Sequence, residues 1–360
     1  MATRHKGIAL ACVVCLVLVG CDRITRLTSN GLEDNRCFTD TLSADGRYVA
    51  FSTTSDPTGR TSVQQTVLRR ADGSASKVVA GNGSGATTGG SLSHDGERMA
   101  LVIDVRIGDR SEGRGYLYRR STGTRTQVTP SGADVTGLVI SADGKKLAYA
   151  AGGVIWKADV ASGSRKQISP AATSEVTYAR ASLSADGRYV SFVTRSLSEG
   201  RQLTVRDSLG SASWNLLNVF ESRAETTQSA VSGDGRWVVY GKANPGSAGG
   251  APQIYLWDRS TGASARLTTI GYPRAIGGAA ISGDGSRIAY SNTDYDSGAG
   301  KLVLIERSSG SSRTIVSANQ PVVNPSFTTD GRTLAFCSSA SDLPSGDGRF
   351  HPNVFLWTDR

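Results

Sequence analysis

Histidines, serines and carboxylates are the side chains with which this 360-residue sequence could perform acid–base or nucleophilic chemistry. Beyond residue 20 the only histidines are His94 and His351, and no Gly-x-Ser-x-Gly motif occurs. The run Asp294-x-Asp296-x-Gly298 resembles part of a calcium loop but lacks the remaining carboxylates. We predict a solvated loop there, with a bound calcium ion as the alternative. The sequence predicts no catalytic residue, no metal site and no cofactor.

A second group of carboxylates recurs at one place in a repeated motif. The motif reads apolar, Ser or Thr, any, Asp, Gly, polar, any, aliphatic, small and usually Phe or Tyr, as in Leu42–Phe51. An Asp-Gly pair between two β-patterned runs is typical of a hairpin turn, because Gly accepts a positive φ and Asp bonds to its own turn. One carboxylate per repeat is too dispersed to hold a single ion, so we assign the pairs to turn structure. They are Asp45-Gly46, Asp95-Gly96, Asp143-Gly144, Asp186-Gly187, Asp234-Gly235, Asp284-Gly285 and Asp330-Gly331.

The elements around these turns are short strands. Each motif predicts strands A and B, and a second hairpin such as Tyr255–Thr268 predicts strands C and D. Four antiparallel strands that recur about every 40–50 residues are typical of a propeller blade, because one small sheet cannot bury its faces alone. The sequence therefore predicts an all-β protein, a seven-bladed β-propeller of four-stranded blades, as a single domain over residues 21–360.

The two ends of the sequence complement each other. The seventh repeat ends with strand C at Val354–Trp357 and has no strand D. A segment near the start, from Ile24 to Gly31, matches the strand D pattern of Ala265–Gly271, including its Arg-Leu-Thr. We expect this N-terminal strand to complete the last blade and to close the ring.

The repeats resemble those of the TolB-like β-propeller family, whose units carry a Ser-Pro-Asp-Gly turn followed by Lys or Arg and an aliphatic-small-Phe strand. The resemblance covers residues 24–360. The sequence departs from TolB itself, because the Pro is replaced, seven units stand where TolB has six, and no α/β domain precedes the propeller. The resemblance implies a propeller fold, and it does not transfer the role of TolB as an envelope partner protein.

The first twenty residues have the features of a removable leader. A basic start with Arg4 and Lys6 precedes an apolar run from Ile8 to Val19, which is too short to span a bilayer. The run ends in Leu-Val-Gly before Cys21, which resembles the bacterial lipobox. That resemblance implies a lipoprotein signal peptide over residues 1–20, lipid on Cys21, and a place in the bacterial cell envelope. An ordinary signal peptide with a chance cysteine is the alternative.

Two cysteines, Cys37 and Cys337, remain for the folded domain. In an oxidising compartment they are candidates for one disulfide, because the predicted strands place them on neighbouring blades near the same end. Two buried free thiols are the alternative.

The function is less specified than the fold. We expect a non-enzymatic, membrane-tethered module that binds an envelope protein or peptide on the face with the long connections, such as Gly241–Pro252 and Ser338–Pro352. A lyase or hydrolase site at that face is the alternative. A carbohydrate-binding module is another, although Trp156, Trp237, Trp257 and Trp357 recur at repeat positions and favour packing between blades.

Charge distinguishes the two ends of the predicted ring. The net charge is +9, and the C–D hairpins, counted with Arg26, carry 16 basic and 6 acidic side chains. Because Cys21 lies three residues before Ile24, where the closing strand starts, we expect the lipid and this basic rim to lie at the same end. We therefore expect a membrane contact through the lipid, with the basic rim as a second contact, and no nucleic-acid partner. A solvated rim that only keeps the protein soluble is the alternative.

Overall fold

The computed structural model describes ten segments of the chain, namely residues 22–28, 35–53, 64–81, 87–171, 176–196, 200–219, 229–242, 252–271, 274–344 and 352–359. They consist of strands and turns, and they contain no helix that is long and apolar enough to cross a membrane. The leader at residues 1–20, Cys21 and His351 lie outside the described residues.

The first half of the chain supplies the closing strand and blades 1 to 3. The closing strand is β1 (Arg23–Arg26). Blades 1 to 3 consist, in chain order, of β2 (Asn35–Leu42), β3 (Tyr48–Thr53), β4 (Gln65–Arg70) and β5 (Ser76–Ala80); β6 (Thr87–Leu92), β7 (Arg98–Ile107), β8 (Arg110–Arg119) and β9 (Thr124–Gln127); β10 (Val135–Ile140), β11 (Lys146–Ala151), β12 (Val154–Asp159) and β13 (Arg165–Gln167).

The second half supplies blades 4 to 7. These consist of β14 (Val176–Leu183), β15 (Tyr189–Ser196), β16 (Gly200–Asp207) and β17 (Ser213–Val219); β18 (Ser229–Val231), β19 (Trp237–Lys242), β20 (Gln253–Asp258) and β21 (Ala263–Arg266); β22 (Arg274–Ile281), β23 (Arg287–Asp294), β24 (Gly300–Glu306) and β25 (Ser312–Ala318); β26 (Val322–Phe327), β27 (Thr333–Ser338) and β28 (Asn353–Thr358).

The strands form seven four-stranded antiparallel sheets, so the predicted seven-bladed all-β propeller is confirmed. The closure is confirmed as well. The last blade has the order β1-β28-β27-β26, and Ile24 pairs with Trp357. Beyond β1, the Thr28 hydroxyl donates to the Asn353 side-chain oxygen at 2.8 Å. The first strand of the chain is therefore part of the last sheet.

The hydrophobic core lies between neighbouring blades. Each blade has apolar side chains on both faces, because one face packs against the preceding sheet in the ring and the other face packs against the following sheet. At the junction of the first and last blades, Leu27 of the closing segment is only 4% exposed. It packs in one cluster with Leu42 and Phe51 of blade 1 and with Val354 and Leu356 of blade 7.

Glycine in the A–B turns lets one blade approach the next closely. Gly235 has φ +68, and a Cβ there would overlap the ring of Tyr189 in the preceding blade. Arg259 lies over the same ring, 4.1 Å from its centroid, and donates to the Gly235 carbonyl oxygen at 2.9 Å. The same arrangement joins Tyr48 to Arg120 and Trp237 to Arg307. Tight aromatic packing over a glycine therefore fixes several blade junctions.

The two ends of the propeller differ. We call the end with the A–B and C–D turns the turn face, and the end with the B–C and D–A connections the loop face. The A–B turns are uniform, whereas the described B–C connections range from the two-residue link Gly152-Gly153 to a long hairpin in blade 2. That hairpin, β7 and β8, has ten residues in each strand and ends at Gly108-Asp109 on the loop face.

Candidate functional site

The propeller axis holds a cavity of about 390 Å³ near the turn face. Its wall consists of the last residues of the innermost strands and of the residue that precedes each turn aspartate. The wall is mainly apolar, with the hydroxyls of Ser182, Ser229 and Ser326 interspersed. Ser182 and Ser326 accept backbone N–H groups of the next blade at 3.3 Å, so they also join the blades. The space fits a small or narrow ligand.

A ring of backbone hydrogen bonds surrounds this cavity at the turn face. In every blade, the residue before the turn aspartate, or the aspartate itself, donates its N–H to the neighbouring blade at 2.7–3.0 Å. A Cβ at Gly233 would lie 2.7 Å from the Gly283 carbonyl oxygen, so glycine is required at that approach. The carbonyl acceptors are, in ring order, Ala44, His94, Ala142, Ala185, Gly233, Gly283 and Thr329.

His94 is the sole ionisable side chain among the described residues that line the axial cavity. Its side chain is exposed at the turn face, as expected for the variable position of an A–B turn. Its neighbours in the ring are Ala, Gly and Thr.

The seven motif aspartates organise the A–B turns. In each turn the preceding Ser or Thr hydroxyl donates to the Asp Oδ1 at 2.6–2.8 Å. The same oxygen accepts a backbone N–H two residues later at 2.9–3.0 Å. The glycine that follows has φ between 63° and 75° in every turn. Burial opposes ionisation at Asp95, Asp186, Asp284 and Asp330, but these hydrogen bonds outweigh it and lower the pKa of each carboxyl.

A pair of carboxylates that the sequence did not single out lies at the loop face. Asp104 is half-buried in the long hairpin of blade 2, and Asp134 immediately precedes the innermost strand of blade 3. Burial, and then the negative charge of Asp134, raise the pKa of the Asp104 carboxyl. Asp134 has φ +44 and accepts the Gly113 N–H at 3.1 Å. The Gly-Asp turn at residues 108–109 could have indicated the hairpin. Nothing in the sequence indicates that Asp104 and Asp134 lie close together.

Two exposed apolar side chains mark described loop-face hairpins. Ile107, at the tip of the blade 2 hairpin, is 47% exposed, and Tyr295, at the tip of the blade 6 hairpin, is 66% exposed. Next to Tyr295, Asp294 accepts the N–H groups of Asp296 and Ser297 at 3.1 Å, and its other oxygen lies 3.7 Å from Arg274. Asp294 therefore stabilises its own turn. Among the described residues, no group of three or more His, Cys, Asp or Glu side chains could hold a metal ion.

A second cavity, of about 580 Å³, lies between the segment 130–133 and blade 3. Trp156 is half-buried in its wall beside Arg165 and Tyr149. The tryptophans Trp257 and Trp357 are instead fully buried. Trp156 is therefore partly accessible in the wall of this cavity.

Cys337 is 2% exposed and is disulfide-bonded. It packs in the cluster that joins blades 7 and 1. Cys37 lies in β2, opposite Phe51 of β3, but its side chain is outside the described part of the chain. The pairing of Cys37 with Cys337 stays a prediction.

The start of the described chain is fixed at the turn face. The closing strand begins at Arg23, and Asp22 forms an ion pair with Arg313 of blade 6. Cys21 lies outside the described residues, one position before Asp22. Any group attached to Cys21 therefore leaves the propeller close to the turn face.

Known proteins share the fold. No protein-family model matches the sequence, and no curated protein is significantly similar to it. An oligogalacturonate lyase solved in complex with manganese matches at 18% identity and a TM-score of 0.66, over 93% of this chain and 92% of the lyase. A prolyl endopeptidase matches at 9% identity and a TM-score of 0.63, over 91% of this chain and 50% of that protein. TolB from Acinetobacter baumannii matches at 17% identity and a TM-score of 0.48, over 82% of this chain and 65% of TolB.

The matches to the lyase and the endopeptidase support the expected resemblance at the level of the β-propeller fold. They also correct the expectation that the chain is not an enzyme. That expectation rested on the scarcity of histidines, yet the same fold occurs over nearly the full length of a lyase and in an endopeptidase. Enzymatic function is therefore open to this chain.

Proposed function

We propose that the chain is a membrane-tethered propeller of the bacterial cell envelope that binds a protein or peptide partner on its loop face. The observation that carries the proposal is the position of the closing strand. Because β1 begins at the turn face, lipid on Cys21 would hold that face toward the bilayer. The loop face then points away from the membrane, where a partner can reach it.

The loop face has the chemistry of a protein-binding surface. Its described hairpins differ in length from blade to blade, and variable connections on a rigid scaffold commonly carry binding specificity. The exposed side chains of Ile107 and Tyr295 offer apolar and aromatic contacts on two separate hairpins. Aromatic side chains are frequent anchors in protein interfaces. A partner that spans blades 2 and 6 would contact both tips.

Site-specific photo-crosslinking tests the partner. A photoreactive amino acid replaces Ile107 or Tyr295 in cells, and the matched control replaces Ser162, which is exposed in a turn-face C–D turn. We expect one crosslinked species from the two loop-face positions and none of it from residue 162. In the double variant Ile107→Ser, Tyr295→Ser, a photoreactive residue at a third loop-face position should crosslink less of the same partner. The same species from residue 162 would contradict the proposal.

The tether has its own test. Cys21→Ser removes the thiol that would be acylated, so we expect loss of metabolic acyl labelling and release of the chain from washed membranes. Cys15→Ser, which lies within the leader, is the matched control and should leave both unchanged. Retention of Cys21→Ser on washed membranes, with its acyl label intact, would refute the tether.

A second function is favoured by the Asp104 and Asp134 pair. A carboxyl whose pKa is raised by burial, beside a second carboxyl group, is an arrangement used to donate and accept protons in elimination and hydrolysis. Because the fold is shared with an oligogalacturonate lyase, acidic oligosaccharides are the first substrates to test. Asp104→Asn should abolish turnover, whereas Asp109→Asn, at the tip of the same hairpin, should retain it. Equal activity of the two variants would exclude Asp104 as the proton donor.

A further inference from the structure

A leucine is exposed at the turn face, at the edge of blade 4. Leu209 lies in the short turn between β16 and β17 and is 73% exposed, more than Ile107 or Tyr295. Its neighbour Ser208 is bonded to Lys157 of blade 3, so the leucine lies next to the outer strands of that blade. Leu209 is therefore a candidate contact residue.

Two lysines lie beside this leucine on the blade 3 side. Lys157 pairs across strands with Lys166. Lys157 is half-buried against Ser208, whereas Lys166 is exposed and takes part in no ion pair among the described residues. Arg165, the residue before Lys166, lines the second cavity instead. We call Leu209, Lys157 and Lys166 the Leu209 patch.

The carboxylates near the patch are already occupied. Asp159 accepts the Lys146 ammonium at 2.5 Å, and Asp207 accepts Arg188 in a two-pronged pair at 2.7 and 3.1 Å. The turn aspartates of blades 3 and 4 lie closer to the axis and are bonded within their own turns. The exposed ammonium of Lys166 is therefore available to an external anion.

We propose that the Leu209 patch binds an anionic phospholipid bilayer, with Leu209 inserted at the boundary of headgroups and acyl chains and the cations on the phosphates. An apolar side chain bordered by lysines is a composition that binds at membrane interfaces. The proposal rests on the tether at Cys21, because that tether brings the turn face to the membrane.

The positions of the tether and the patch favour a bilayer over a protein partner. Cys21 is two residues from Arg23, a span of at most about 7 Å. This keeps the turn face within about a Debye length of the headgroups. The tether joins blade 7, and Leu209 belongs to blade 4, three blades away and thus across the ring. Two contacts at opposite sides would hold the turn face parallel to the membrane.

Vesicle co-sedimentation tests the patch without the lipid tether. The protein is the chain from residue 21 with Cys21→Ser, which keeps every described strand. We expect it to bind vesicles that contain phosphatidylglycerol at low salt, to bind phosphatidylcholine vesicles weakly, and to dissociate as salt rises. Lys166→Gln should lower partitioning about fivefold. Leu209→Ser should lower it about tenfold.

The controls are variants that remove the same kinds of side chain, apolar and basic, from the loop face. Ile107→Ser and the double variant Arg106→Gln, Arg110→Gln change exposed residues at the tip of the blade 2 hairpin and should bind as the parent does. Melting curves of all variants should agree, because the altered side chains are exposed. Absence of parent binding to anionic vesicles, or an equal loss in the loop-face controls, would overturn the patch. Neither result would affect the tether, which is measured by release of Cys21→Ser from cell membranes.

Discussion

The closing strand should be required for the stability of the whole ring, and Leu27 is the residue that tests this. Leu27 is 4% exposed and packs against side chains of both the first and the last blade. Leu27→Ala would leave a cavity at the junction that closes the ring. Truncation of a buried leucine costs about 2–5 kcal/mol. For a domain of this length each kcal/mol corresponds to about 1.4 °C in Tm, so we expect Tm to fall by about 3–7 °C.

Differential scanning calorimetry on the unlipidated chain measures this effect. Leu209→Ala is the matched control, because the same atoms are removed from a side chain that is 73% exposed. We expect its Tm to agree with that of the parent within about 1 °C. Opening the ring would also expose two sheet edges, so the Leu27→Ala protein should aggregate at lower temperature. A Tm of the Leu27→Ala chain equal to that of the parent would refute the closure as a source of stability.

Three further outcomes follow from the geometry. In chemical denaturation, Gly235→Ala should lower the free energy of unfolding by more than Gly262→Ala does. Both glycines have positive φ, but only at residue 235 would the added Cβ meet the ring of Tyr189. Equal losses of stability in the two variants would contradict this. Asp207 has a pKa of about 2, lowered by Arg188, so its contribution is present above about pH 4 and is lost as the pH falls toward 2. Asp207→Asn should therefore lower Tm at pH 7 by more than it does at about pH 2, and a constant difference would contradict this. Thiol titration of the denatured, unreduced chain should find neither Cys37 nor Cys337 free, and two free thiols would refute the bridge.

The repeats made the fold predictable, because a blade is encoded locally. An Asp-Gly turn between two apolar strands recurs seven times, and the match between Ile24–Gly31 and the missing last strand indicates the closure. The ring of hydrogen bonds around the axis could not be predicted in the same way. It joins backbone atoms of residues such as Ala44 and His94, whose side-chain types do not encode it.

The candidate sites were less predictable because they arise between blades. Asp104 and Asp134 belong to different repeats, and they come together where the hairpin of blade 2 meets blade 3, at the hydrogen bond from the Gly113 N–H to Asp134. Leu209 is an ordinary turn residue in sequence, and its exposure beside Lys166 is a property of the assembled ring. The scarcity of histidines misled the expectation about enzymatic function, because carboxylates can also supply the acid and base.

The orientation of the ring on the membrane is the central claim, and the labelling rate of single cysteines tests it most directly. Leu209→Cys places a thiol on the turn face and Ile107→Cys places one on the loop face. A membrane-impermeant maleimide is applied to the lipidated chain in phosphatidylglycerol-containing proteoliposomes and again in detergent. We predict that residue 209 reacts at least about tenfold more slowly in the bilayer than in detergent, while residue 107 reacts at the same rate in both. Protection of residue 107, or equal rates at residue 209 in bilayer and detergent, would contradict the account.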